Sequence, residues 1–292
     1  MTAVLAAVLL TRAPQPLAEI LFDMKGNQIW LRAELDEKPL RALLDTGSGS
    51  SAMDQKAAFS SGFIKQARKT FVGVSGGVVS GWTTKGRDVG LYGSTVVTPI
   101  FDVLPLHELD ADESLPNAIL GFEFFRSYVV QIDYRARMVR LYDPATYKPP
   151  AGYEALPIQF VDHIPTVEGK LSLPGMPQRP VVIEFDTGSA FGIDVSSRVV
   201  RRDALDLRYG DAGSDVSGGI GGAMASRSIG LSEVTLGGFR LSSETRLLLS
   251  GKPPISDLIR LPGDYDITLG NGVLSKFDIV FDYPHSRIYL KR

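Results

Sequence analysis

The sequence has no cysteine, which excludes disulfides, thiolate zinc sites and a cysteine nucleophile together. Histidine is almost as scarce. His107, His163 and His285 stand apart, without the H-E-x-x-H spacing of a zinc hydrolase, so each reads as a loop or surface residue and no metal is expected. Neither sign of charge is in excess: 31 Lys and Arg face 33 Asp and Glu, for a formal charge of −2, so there is no basic face for a nucleic acid partner. A membrane-length apolar run is missing too. The opening "MTAVLAAVLLTRAPQP" is apolar only from Thr2 to Leu10, too short to span a bilayer. Residues 1–14 read either as an export signal remnant, with "TRA" as a cleavage site but no basic residue before the run, or as a packed N-terminal segment. Export or the periplasm is preferred over the cytoplasm.

What is present is ordinary globular composition. Of 292 residues, 44% are hydrophobic and 22% charged, enough for one large domain or two. The 30 glycines and 18 prolines are scattered without period, as in a turn-rich folded chain.

The informative feature is a repeat. "RALLDTGSGSS" (41–51) carries an apolar run into Asp45, and "VVIEFDTGSAF" (181–191) does the same into Asp186, 141 residues later (186 − 45). An acid at the end of an apolar strand places a charge at the rim of a core, where desolvation is costly. The flanks repeat as well. Hairpin patterns precede each acid, "IWLRAELDEKPLRALLD" and "TVEGKLSLPGMPQRPVVIEFD". Glycine-rich hairpins follow, "GVSGGVVSGW" (73–82) and "SGGIGGAMAS" (217–226). Each half closes on an apolar pair, a glycine, a short helical pattern and a strand bearing Asp-Tyr. Gly121 matches Gly270, Asp133 matches Asp282, and Tyr134 matches Tyr283. The chain therefore divides into β-rich units at 15–148 and 149–292, joined by the turn-rich "YDPATYKPPAGYEALP". Short helices are expected near 54–66, 121–127, 194–203 and 271–277, and the class is all-β with minor helix.

Asp-Thr-Gly-Ser on a strand end, a glycine-rich hairpin, then two apolar residues and a glycine before a helix resembles the pepsin and retropepsin superfamily of aspartic proteases. The half-length units look most like bacterial retropepsin-like tandem proteins, two β-barrel lobes in one chain. The resemblance implies an aspartic endopeptidase with Asp45 and Asp186 as catalytic residues a few ångströms apart. Like charges that close do not ionise together, so they would share a proton; aspartic proteases are a standing example of such a dyad. It further implies loop support from Thr46, Gly47, Ser48, Thr187, Gly188 and Ser189. The threonines would reach across the two-fold axis, and the serine hydroxyls are placed to donate to the acids. Gly76, Gly77, Val78, Gly218, Gly219, Ile220, Gly221 and Gly222 would form flaps over a peptide or protein substrate in extended conformation. Strands 137–142 and 287–292 would pair beneath the dyad. No cofactor is implied, and the internal two-fold implies a monomer. The alternative is a non-catalytic peptide-binding or scaffold protein that keeps the fold; two costly acids kept together argue against it.

Other strings weigh less. "GVSGG" centres Ser75 in a nucleophile-elbow pattern, but a β-prone segment follows where a helix is required. "GSGSSA" mimics a dinucleotide loop without any alternating βαβ pattern around it. "HELDADES" (107–114) lacks the glycine and terminal Glu of a calcium loop. Asp133 and Asp282 read as structural acids, and Trp82 as a residue packed under the first hairpin or covering substrate. The first hairpin lacks the full Gly-Gly-x-Gly-Gly of the second, and neither offers a pepsin-type flap tyrosine.

Overall fold

Period-two burial organises the chain. In β1 (Ala18–Lys25) Ala18, Ile20 and Phe22 face inward, and in β2 (Gln28–Leu35) Ile29, Leu31, Ala33 and Leu35 do, while Glu19, Leu21, Asp23 and Arg32 face out. The tight turn between them is built from Gly26 and Asn27, both at positive φ, as a twist-matched two-residue hairpin needs. A computed structural model describes residues 14–72, 78–106, 116–210, 213–219, 222–249 and 265–292. Ser75, the acidic stretch 107–114 and most of the N-terminal segment 1–14 lie outside the described residues.

The first half continues with β3 (Lys38–Leu44), β4 (Ala52–Asp54), α1 (Gln55–Ser60), β5 (Arg68–Val72), β6 (Val78–Leu91), β7 (Val97–Leu104), β8 (Ala118–Leu120), α2 (Phe122–Ser127), β9 (Val129–Asp133) and β10 (Met138–Tyr142). The second follows with β11 (Glu154–Pro157), β12 (Gln159–Val161), β13 (Ile164–Ser172), β14 (Arg179–Phe185), β15 (Ile193–Val195), α3 (Ser197–Arg202), α4 (Leu205–Arg208), β16 (Ser214–Gly219), β17 (Gly222–Leu236), β18 (Phe239–Leu249), β19 (Ile267–Leu269), α5 (Asn271–Leu274), β20 (Asp278–Asp282) and β21 (Arg287–Lys291). The protein is all-β with a few short helices, arranged as two β-rich lobes.

Among the described residues α1, α2, α3 and α5 fall where expected but are shorter, and α4 lies beyond the expected stretches. Near 54–66 only α1 forms: Asp54 caps it by accepting from the Lys56 and Ala57 backbone N–H groups at 2.9 and 3.3 Å, and Gly62 at positive φ follows its end. In 194–203 the first residues extend β15, and α3 begins only after the Ser196 cap.

The lobes are joined through one sheet, in the order β11-β21-β20-β9-β10-β1. At its centre β9 and β20 pair antiparallel, with Asp133 opposite Asp278 and Val130 opposite Phe281. The expected pairing of 137–142 with 287–292 is therefore corrected: β10 and β21 each sit one strand outside that central pair. The reason is burial. β9 is covered throughout Val129–Ile132 and β20 throughout Ile279–Asp282, whereas β10 and β21 alternate with outward Arg140, Arg287 and Lys291.

Candidate active site

Each acid stands at the end of a strand held by a parallel neighbour. β3 pairs with β8 and β14 with β19, and the last rungs are the Asp45 N–H to Leu120 carbonyl and the Asp186 N–H to Leu269 carbonyl, both 3.0 Å. Gly121 and Gly270 come next. A Cβ at Gly121 would stand 2.6 Å from the Ser50 carbonyl oxygen, and one at Gly270 2.5 Å from that of Phe191, so only glycine lets the acid loops pass this close.

The threonines interlock across the axis. The Thr46 backbone N–H donates to Thr187 Oγ1 at 3.0 Å, and the Thr187 N–H donates to Thr46 Oγ1 at 2.9 Å. The hydroxyls reach further, Thr46 to the Phe185 carbonyl at 2.7 Å and Thr187 to the Leu44 carbonyl at 2.8 Å. Both side chains are buried, so every one of these groups needs its partner.

This grip brings Asp45 and Asp186 together, and their carboxyls are hydrogen-bonded to each other. Both keep part of their surface open. Burial, then the charge of Asp186, holds the Asp45 carboxyl well above the usual carboxylate range. Asp186 is raised mainly by burial, against which the Gly188 backbone N–H and the Asp45 hydrogen bond favour its charged form. The pair therefore shares one proton and carries one charge between its two carboxyls.

The serine hydroxyls do not donate to the acids as expected. Ser48 Oγ donates instead to the Ser50 carbonyl at 2.8 Å, and Ser189 Oγ accepts from the Phe191 N–H at 3.4 Å. Backbone N–H groups take that part, because the tight turn already aims them at the carboxylates: Gly47 to Asp45 at 2.9 Å, and Gly188 and Ser189 to Asp186 at 2.7 and 3.1 Å.

Of the hairpin residues, Gly76, Gly77, Ile220 and Gly221 lie outside the described residues. Val78 is exposed at the start of β6, and Gly218, Gly219 and Gly222 end the β16–β17 ladder, Gly219 opposite Gly222. Trp82 is buried and stacks on Phe59 at 5.5 Å, so it belongs to the packing of the hairpin base. Asp282 is buried as the acceptor of His285 Nδ1, and Asp133 pairs with Arg140. Among the described residues no group of His, Asp and Glu is placed to hold a metal.

Sequence reasoning missed two turns that brace the acid loops. Gln28 Nε2 donates to the Gly188 carbonyl and Asn27 Nδ2 to that of Ala190, each at 2.5 Å. On the other side His163 Nδ1 lies 3.1 Å from the Gly49 carbonyl and its ring stacks on Phe122 at 4.2 Å. Asp162 and His163 turn at positive φ, as Gly26 and Asn27 do. The one available signal was position: each turn opens the hairpin upstream of an Asp-Thr-Gly.

Residues 31–124, most of the first half, match the family model described as aspartyl protease. That match supports the aspartic protease superfamily. Among curated proteins no sequence matches the chain.

Proposed function

We propose that the protein is an aspartic endopeptidase whose two lobes, 15–148 and 149–292, each supply one acid. The observation that carries this is the hydrogen-bonded Asp45–Asp186 pair, both carboxyls raised in proton affinity, inside the threonine grip. A water between the carboxyls gives a proton to the charged member of the pair and attacks the scissile carbonyl, while the protonated member donates its proton to the carbonyl oxygen. The new C–O bond gives a tetrahedral diol. Its collapse breaks the C–N bond as a proton passes to the leaving amine, and no covalent enzyme intermediate forms. The β5–β6 and β16–β17 hairpins act as flaps, holding an extended peptide by backbone hydrogen bonds and excluding water. Both acids come from one chain, so the working unit is a monomer.

Incubation with a mixed peptide library, with and without pepstatin, tests the reading. Cleavage that disappears in Asp45→Asn and Asp186→Asn supports it. Peptide binding without cleavage would favour a scaffold that keeps the fold.

A further inference from the structure

The two lobes present unlike walls to the acids, and strand alternation shows which side chains form them. In β3, Ala42 and Leu44 enter the main core and Leu43 points the other way, into a separate apolar cluster. In β14, Ile183 and Phe185 enter the core, so Glu184 points out of it, on the side of Asp186. The registers are equivalent: Leu43 lies beside Ile119 and then Ala52, and Glu184 beside Thr268 and then Asp194.

The first wall is Leu43, Ile119 and Ala52, packed with Val79 and Leu104; the Asp102–Lys69 ion pair, 2.6 Å, lies at its edge with Lys69 partly in solvent. The second wall is polar at each of the equivalent positions, Glu184, Thr268 and Asp194. Thr268 Oγ1 donates to Glu184 Oε2 at 2.5 Å, and the Tyr265 hydroxyl also hydrogen-bonds Glu184. Arg246 holds Asp194 through two bonds of 2.8 and 2.6 Å, with the Phe191 ring over its guanidinium. The walls are comparably covered, Leu43 7% and Ile119 2% exposed against Glu184 3% and Thr268 8%.

The fold does not require this polarity, since the first lobe builds the same place from Leu, Ile and Ala. Buried ionisable groups cost stability unless matched. Asp194 and Arg246 cancel each other. Glu184 has no cationic partner among the described residues; it is a third carboxyl near a pair that already carries one charge, and burial together with Asp186 and Asp45 makes it hold its proton more tightly than a free carboxyl does. A cation brought to this place would take over from that proton as the carboxyl's complement.

We infer that the protein cuts between an apolar and a basic residue, the Leu43–Ile119 wall taking the apolar side chain and Glu184 reading lysine or arginine on the other flank. The inference rests on the endopeptidase reading. An ammonium or guanidinium donates to the Glu184 carboxylate, while Thr268 and Tyr265 occupy its remaining lone pairs. An aliphatic side chain there leaves the carboxyl unmatched, and a site built for hydrogen bonding discriminates strongly against a partner without them.

Cut sites in a randomised peptide library, read by mass spectrometry, test this. Wild-type protein should favour Lys and Arg over Leu on one flank by at least about tenfold, with aliphatic or aromatic residues on the other. Glu184→Leu/Thr268→Ile, which copies Leu43 and Ile119, should make both flanks apolar, and Glu184→Gln, which keeps shape, should lose the basic preference if the double variant does not fold. Apolar residues on both flanks of wild-type cuts, or a basic preference that survives Glu184→Gln, would overturn the inference while leaving the protease intact. If no Asp45-dependent cutting occurs, the endopeptidase reading is what fails; equal binding of Leu-Lys and Leu-Leu peptides to Asp45→Asn then overturns the wall assignment separately.

Discussion

Gly188 makes room for the carboxyl of Asp45: a Cβ on Gly188 would stand 2.5 Å from Asp45 Cγ. The relation is reciprocal, since a Cβ on Gly47 would stand 2.5 Å from Asp186 Cγ. Each lobe thus shapes the seat of the other lobe's acid. Gly188→Ala should cost about 1–3 kcal/mol by overpacking and lower cleavage about 100-fold by displacing Asp45. Gly213→Ala, where a Cβ would meet nothing, is the control. Urea denaturation and peptide cleavage measure both, and an active Gly188→Ala would contradict the geometry.

Asp45→Asn and Asp186→Asn keep the carboxyl's shape and remove its proton exchange. Each should lower cleavage by on the order of 10³-fold with circular dichroism unchanged. Near wild-type activity in either purified variant counts against the pair.

Asp45, Asp186 and Glu184 all bind their protons more tightly in the folded chain than free carboxyls do, chiefly through burial. Between the ordinary carboxylate values and these raised ones, the native state holds more protons than the unfolded state. Stability should therefore fall as pH rises from about 4 and level off above the raised values. Urea midpoints across pH measure the fall, which should be shallower in Asp45→Asn. Cleavage should also decline on the basic side, where the pair loses its shared proton.

Tyr134 and Tyr283 are repeat equivalents with different fates. The Tyr134 hydroxyl donates to Asn271 Oδ1 at 2.7 Å, whereas the equivalent neighbour of Tyr283 is Phe122 and its buried hydroxyl has no partner among the described residues. Tyr134→Phe should destabilise by about 1–3 kcal/mol, and Tyr283→Phe should be neutral or stabilising by up to about 1 kcal/mol. Thermal or urea denaturation of the two variants separates them.

Much of this was legible where neighbours in sequence are neighbours in space. Apolar strand, acid, turn and glycine form one local unit, and its second copy announced the lobes. The serine roles were not legible, because the tight turn supplies backbone donors that composition does not display. Nor were the central strands: "RMVRLY" and "RIYLKR" alternate as edge-side strands do, while the evenly buried β9 and β20 carry no period to read. Glu184 stood in plain sight beside Asp186, yet its company arrives from Tyr265 and Thr268, far along the chain.

The central pairing of β9 with β20 also sets a timetable. During synthesis β9 leaves the ribosome well before its partner, by on the order of ten seconds or more at ordinary elongation rates, because Asp278–Asp282 follow so late. Through that interval the first lobe waits with one strand edge unpaired and with Asp45 facing no second acid. A chain that joins its halves through β9 and β20 can seat its two acids in that joined frame only after both halves have been made.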